Sequence, residues 1–236
     1  MQRILIIITL LISLNYGQNI PFKVGERLTY TLQFNVIKMG RGYLSVESND
    51  TVSGIPAYHV RFKAKTSKFA DRIFRVRDNI DIWLNISDLT TLKLLKQVNE
   101  GSYHKKYDTL IDYKNSIAIT NNDTIKIVGS LRDPYSLLYY FRTIPLELGQ
   151  ILDFTTFDNK KLTEFQVIID GRETIKTPAG KFPCIIIKPF REGKTLLKND
   201  GDMKIWLSDD ELRLPVQIQI KLKFGSMLLQ LNTISL

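Results

Sequence analysis

Residues 133–145 read DPYSLLYYFRTIP, and they break a pattern that the rest of the chain keeps. Leu137, Tyr140, Phe141 and Ile144 follow the i, i+3, i+4, i+7 spacing of one helix face. Tyr135, Leu138, Tyr139 and Arg142 take the same spacing on a second face. Asp133 can cap the helix N-terminus, and Pro134 suits the first helical position, where an N–H would have no partner anyway. Pro145 stops it. A helix that is apolar nearly all round is a buried one. The stretch predicts one principal helix lying in a core, and its flanks decide what that core is.

Those flanks alternate apolar and polar residues with the period of a β-strand. In ERLTYTLQFNV, Leu28, Tyr30, Leu32, Phe34 and Val36 share one face. In AYHVRFKAK it is Tyr58, Val60, Phe62 and Ala64, and in FRVRDNIDIWLN it is Phe74, Val76, Ile80, Ile82 and Leu84. PVQIQIKLKF repeats the pattern from Val216 to Phe224, and SIAITNNDTIKIV reads as a hairpin. Turn signals fall at 38–42, Asn49-Asp50, Asn121-Asn122-Asp123, Asp170-Gly171, 178–180 and 208–210. The expected fold is mainly β: a single curled antiparallel sheet, a half-open or closed barrel, with the helix packed in its concave face. No linker or repeat divides residues 18–236, which are expected to form one β-barrel-like domain.

A buried Arg142 requires a partner, because an unpaired buried charge costs several kcal/mol or rearranges its surroundings. Alternation turns Asp78 to the apolar face of its strand, so Asp78 is the first expected partner. Glu26, in register with Leu28 and Tyr30, is the second. The alternative is an Arg142 that reaches solvent from the helix end.

Residues 1–17 read as a signal peptide: Arg3, the apolar core ILIIITLLISL, then a short polar end. A retained N-terminal anchor is the rival reading. The expected localisation is export to the periplasm, with membrane association open. The sole cysteine, Cys184, lies far beyond the leader, so no lipid anchor is expected and no internal disulfide framework is available. The 33 Lys and Arg against 24 Asp and Glu leave a net charge of +9. In an exported protein that charge suits anionic lipid or acidic glycan better than nucleic acid, for which no motif appears. An outward basic face is expected from Arg61, Lys63 and Lys65 beside Arg75 and Arg77, with Asp71 and Asp81 interleaved.

In chain order, PFKVGERLTYTLQF, GRGYLSVE, RVRDNID, DPYSLLYYFRTIPLELGQ, TPAGKFPC and KIWLSDDELRLPVQIQ resemble the exported bacterial proteins grouped as domain of unknown function 3108. The resemblance covers almost the whole chain after the leader. It implies a periplasmic or otherwise exported β-rich domain of unassigned biochemical role, similar in outline to the half-barrel lipoprotein carriers of the bacterial envelope. It supplies no catalytic residues.

Catalytic patterns are sparse. His59 and His104 read as solvated surface residues outside any ligand cluster, so no metal and no cofactor are expected. Cys184 reads as a buried, inert thiol. No G-x-S-x-G elbow supports a serine nucleophile. Asp78 and Asp81 point to opposite strand faces and cannot share a site. The acids of SDDEL (Asp209, Asp210, Glu211) and the glycines of GRG (Gly40, Gly42) read as turns or bulges. Three functions follow, in this order. The first is a non-catalytic carrier for an apolar or amphipathic envelope molecule, contacted by Tyr30, Phe34, Tyr58, Phe62, Tyr139 and Tyr140. The second is an assembly factor meeting anionic membrane or partner proteins through the basic face. The third is an enzyme acting on envelope glycan or lipid.

Overall fold

The computed structural model describes residues 20–191 and 202–236. The leader at 1–17 lies outside the described residues. Fourteen strands form a single sheet in which every neighbouring pair is antiparallel. The N-terminal half is a meander of β1 (Arg27–Phe34), β2 (Ile37–Val52), β3 (Ile55–Thr66), β4 (Arg77–Asn85), β5 (Thr91–Glu100), β6 (Tyr103–Asp112), β7 (Ile117–Thr120) and β8 (Asp123–Lys126). Then comes α1 (Pro134–Phe141), followed by a second meander of β9 (Ile151–Asp158), β10 (Lys161–Thr177), β11 (Gly180–Phe190), β12 (Asp202–Ser208), β13 (Pro215–Leu222) and β14 (Gly225–Ser235). The halves join where β1 pairs with β14, which leaves β8 and β9 as the two edges.

The edges curl toward each other without closing. Phe157 of β9 packs with Ile111 of β6 and Ala118 of β7, and Lys96 of β5 pairs with Asp158 at 2.9 Å. The chain from β8 to β9 spans the gap: the Leu131 carbonyl accepts from Thr91 N–H, and the Arg132 carbonyl accepts from Phe157 N–H.

α1 begins as its residues dictate. The Asp133 carboxylate accepts from the N–H groups of Tyr135 and Ser136 and from the Thr91 hydroxyl, and Pro134 opens the helix. The helix packs against both halves of the sheet. Tyr139 joins Leu28, Val60, Ile82, Trp206 and Val216, while Leu137 and Phe141 join Val167, Ile185, Ile187 and Leu207. Each such burial stabilises by roughly 1.5–3 kcal/mol.

Several strands end earlier than their alternation suggests. Val36 and Phe224 do not face the core but stand at hairpin tips, 91% and 73% exposed. Phe74 and Arg75 precede β4, in a loop that holds a short 3-10 turn at Ala70–Arg72. Residues 38–42 are not a turn but part of β2, with a bulge where Leu32 pairs Gly40 and Gln33 pairs Lys38. Gly40 is required there: a Cβ would sit 2.1 Å from the Lys65 carbonyl oxygen. Asn49-Asp50 and Asp170-Gly171 likewise lie inside strands, the latter at a bulge.

Candidate functional site

Most of the side chains expected to contact a ligand are committed to the core. Tyr30 is buried, and its hydroxyl donates to the Pro215 carbonyl at 2.9 Å. Burial raises its phenol well above the ordinary range. Phe22 stacks edge-on against both Tyr58 and Tyr139, with centroids 5.4 and 4.8 Å apart. Phe62 packs against Tyr135 of the helix. Phe34 faces the β13–β14 tip, where a Cβ on Gly225 would meet its ring. Tyr58, Phe62 and Tyr139 thus belong to the packing between the helix and the sheet. Tyr140, the last of the six, lines a cleft.

Arg142 makes its ion pair with Glu26, not Asp78. Its Nη1 and Nη2 donate to the two Glu26 oxygens at 2.6 and 2.8 Å, Nη2 also donates to the Pro21 carbonyl, and Nε donates to that of Leu212. Asp78 is on the expected face but at the wrong depth. Register places it in line with Ala64, Gly42 and Tyr30, four residues along from Glu26. That offset is about 13 Å at roughly 3.3 Å per residue. Asp78 instead accepts from the Asn99 N–H at 2.9 Å. Burial, then the neighbouring Asp78 carboxylate, raises the Glu100 carboxyl above its usual range.

Two members of the outward basic stripe, Arg61 and Arg77, are paired with acids. Arg61 pairs with Asp81 and Glu47 at 2.6 and 3.0 Å, and Arg77 with Asp71 at 2.6 Å. Lys65 lies opposite Arg77 and Lys63 opposite Asn79, while Arg75 lies off the sheet. His59 is not a free surface residue: its ring stacks on Trp83 at 4.5 Å and Nε2 meets Asp81 at 2.9 Å. Cys184 is buried, and burial pushes its thiol up to about 12.

The site that sequence reasoning missed lies at the unclosed seam. Between the β9 edge and residues 128–132 opens a cleft of about 750 Å³. Tyr140, Phe154 and Phe165 give it apolar walls, and Arg132 and Arg191 give it cations. Phe154 is braced edge-on by Tyr140 and Phe141, at 6.1 and 5.2 Å between centroids. The Arg132 guanidinium lies 3.8 Å over the Tyr140 ring, and its Nη2 donates to the Asp88 carbonyl at 2.7 Å. Its Nε is buried with no hydrogen-bond partner, and no carboxylate pairs with it among the described residues. Burial lowers its pKa below the ordinary arginine value. The carboxylates that line the cleft among the described residues, Asp153 and Glu164, are exposed at its rim, and Asp153 accepts from Gln166. No signal marks Arg132 or Arg191 in the sequence, because the cleft joins residues from five separate segments.

The family model described as Protein of unknown function (DUF3108) matches residues 29–232. The chain belongs to that family. The DUF3108 fold is similar to the crystal structure of a beta-barrel-like protein of domain of unknown function DUF1849 from Brucella abortus, with a TM-score of 0.57 at 10% identity, covering 89% of this chain and 97% of that one. A Parabacteroides distasonis protein described as a "putative lipoprotein" matches with a TM-score of 0.42 at 12% identity, over 90% of this chain and 96% of that one. The first likeness supports the barrel-like fold of this DUF3108 chain; the second, below 0.5, supports nothing further. No curated protein matches it.

Proposed function

We propose that this DUF3108 protein is an exported, periplasmic binding module that holds an amphipathic envelope molecule and performs no chemistry on it. In this reading α1 fills the concave side of the sheet as a fixed plug, and the ligand occupies the seam cleft beside it. The anionic part of the ligand meets Arg132 and Arg191, and its apolar part lies on Tyr140, Phe154 and Phe165. Export rests on the leader-like residues 1–17.

One observation carries the reading: a largely buried arginine, stacked on an aromatic ring, with a desolvated Nε that nothing among the described residues satisfies. Burying a polar group unpaired costs about 1–3 kcal/mol, which an anionic ligand would recover. An apolar wall with a few convergent polar groups is the usual make-up of a small-molecule site.

Calorimetric titration with decanoate and with decanol tests this. Decanoate should bind more tightly, and Arg132→Gln or Arg191→Gln should weaken it by about tenfold or more, as loss of a charge-assisted hydrogen bond does, leaving decanol unaffected. Equal decanoate affinity in wild type and variants would overturn the site, and so would no binding at all.

A further inference from the structure

We infer that one end of the barrel docks on an anionic bilayer surface, through apolar residues carried at the turns. This inference is independent of the cleft. Strands β13, β14, β1, β2, β3, β4, β5 and β6 are consecutive neighbours in the sheet, and the connections β13–β14, β1–β2, β3–β4 and β5–β6 all leave from the same end. Three hydrogen bonds tie these four connections into one ledge: Asn35 N–H to the Ser226 carbonyl, Ser67 N–H to that of Met39, and Gly101 N–H to that of Arg75.

The ledge is unusually apolar. Phe224, Val36, Ile37, Phe69, Ile73 and Phe74 are between 49% and 91% exposed. Turns ordinarily carry Gly, Asn, Asp, Ser or Pro, each for a backbone reason. Val36 and Phe224 serve no such purpose at their tips. A cluster of exposed apolar side chains on a soluble domain marks a contact surface.

Charge identifies the contact. Lys38, Lys68, Arg72 and Arg75 are exposed on the same ledge, and the one acid within the 67–76 loop, Asp71, is bound to Arg77. Separate protruding tips ringed by cations suit the boundary between headgroups and acyl chains, which apolar residues enter by about 5–10 Å. Each nearby Lys or Arg adds roughly 1 kcal/mol on an anionic surface.

The test is flotation of the chain, expressed from Gln18 onward, with phosphatidylcholine vesicles with and without phosphatidylglycerol. Wild type should float with the anionic vesicles. Val36→Ser, Phe69→Ser, Ile73→Ser and Phe224→Ser combined should lower that partition by at least about tenfold, the loss expected from removing several buried apolar side chains. Lys68→Glu, Arg72→Glu and Arg75→Glu combined should do the same for anionic vesicles only. All seven side chains are outside the core, and an unchanged melting transition would show that the variants fold. An unaltered partition in the apolar variant would overturn the inference. So would a wild type that stays with neither vesicle, or an apolar variant whose only change is a smaller oligomer in sedimentation, which would make the ledge a contact between protein copies.

Discussion

Arg142 and Glu26, 116 residues apart, form a two-pronged ion pair in which both side chains are 1% exposed. The pair fastens the C-terminal end of α1 to the start of β1. Arg142 also satisfies the carbonyls of Pro21 and Leu212, so it organises three chain segments while Glu26 organises one.

That asymmetry gives the first prediction. Removing one partner of a buried pair costs about 3–5 kcal/mol, because the other charge is left bare. Glu26→Gln should therefore destabilise the protein by an amount near that range, and Arg142→Met by more, since it strands two carbonyls as well. The double variant should lie well above the sum of the singles in stability. Urea denaturation measures all three; additive losses would contradict a coupled pair.

The Tyr139 side chain predicts the opposite sign. It is fully buried, and its hydroxyl has no hydrogen-bond partner among the described residues. Burial raises the phenol far above its usual pKa. Tyr139→Phe keeps the ring contact with Phe22 and removes the unsatisfied group, so stability should rise by about 1 kcal/mol. A fall in the urea midpoint would show that the hydroxyl is satisfied after all.

Acid sensitivity should concentrate at Asp81. Burial works to raise its pKa, but hydrogen bonds from His59, Arg61 and Asn79 outweigh that and hold the carboxyl below the usual range. A depressed carboxyl contributes stability that is fully present above the unfolded value near about 4 and is lost as pH falls through the lower folded value. Melting temperatures taken downward from pH 6 should therefore fall more steeply for wild type than for Asp81→Asn. Parallel curves would remove Asp81 from the acid transition.

Much of this architecture is legible in residue alternation, and the helix with its Asp133 cap is legible in spacing alone. What alternation conveys is the face a side chain takes, not its depth along the strand. Alternation turns Asp78 and Glu26 both to the apolar face, yet only register, set by the cooperating strands, puts Glu26 beside Arg142 and Asp78 beside Asn99. Alternation also runs on past a turn without registering it, which is why Val36, Phe74 and Phe224 read as core and stand in solvent. The seam cleft was illegible for a third reason: Arg132, Phe154, Phe165 and Arg191 meet only because the sheet curls.

The pairing of β1 with β14 has a consequence for how such a chain comes into being. Its first strand finds this partner only when the eleven residues of β14, Gly225–Ser235, have been delivered. Contacts this distant in sequence are slow to form. Until then one flank of β1 is a bare hydrogen-bonding rim open to mispairing, so the two halves of the sheet cannot join before β14 is made, and loss of β14 would remove the pairing that unites them.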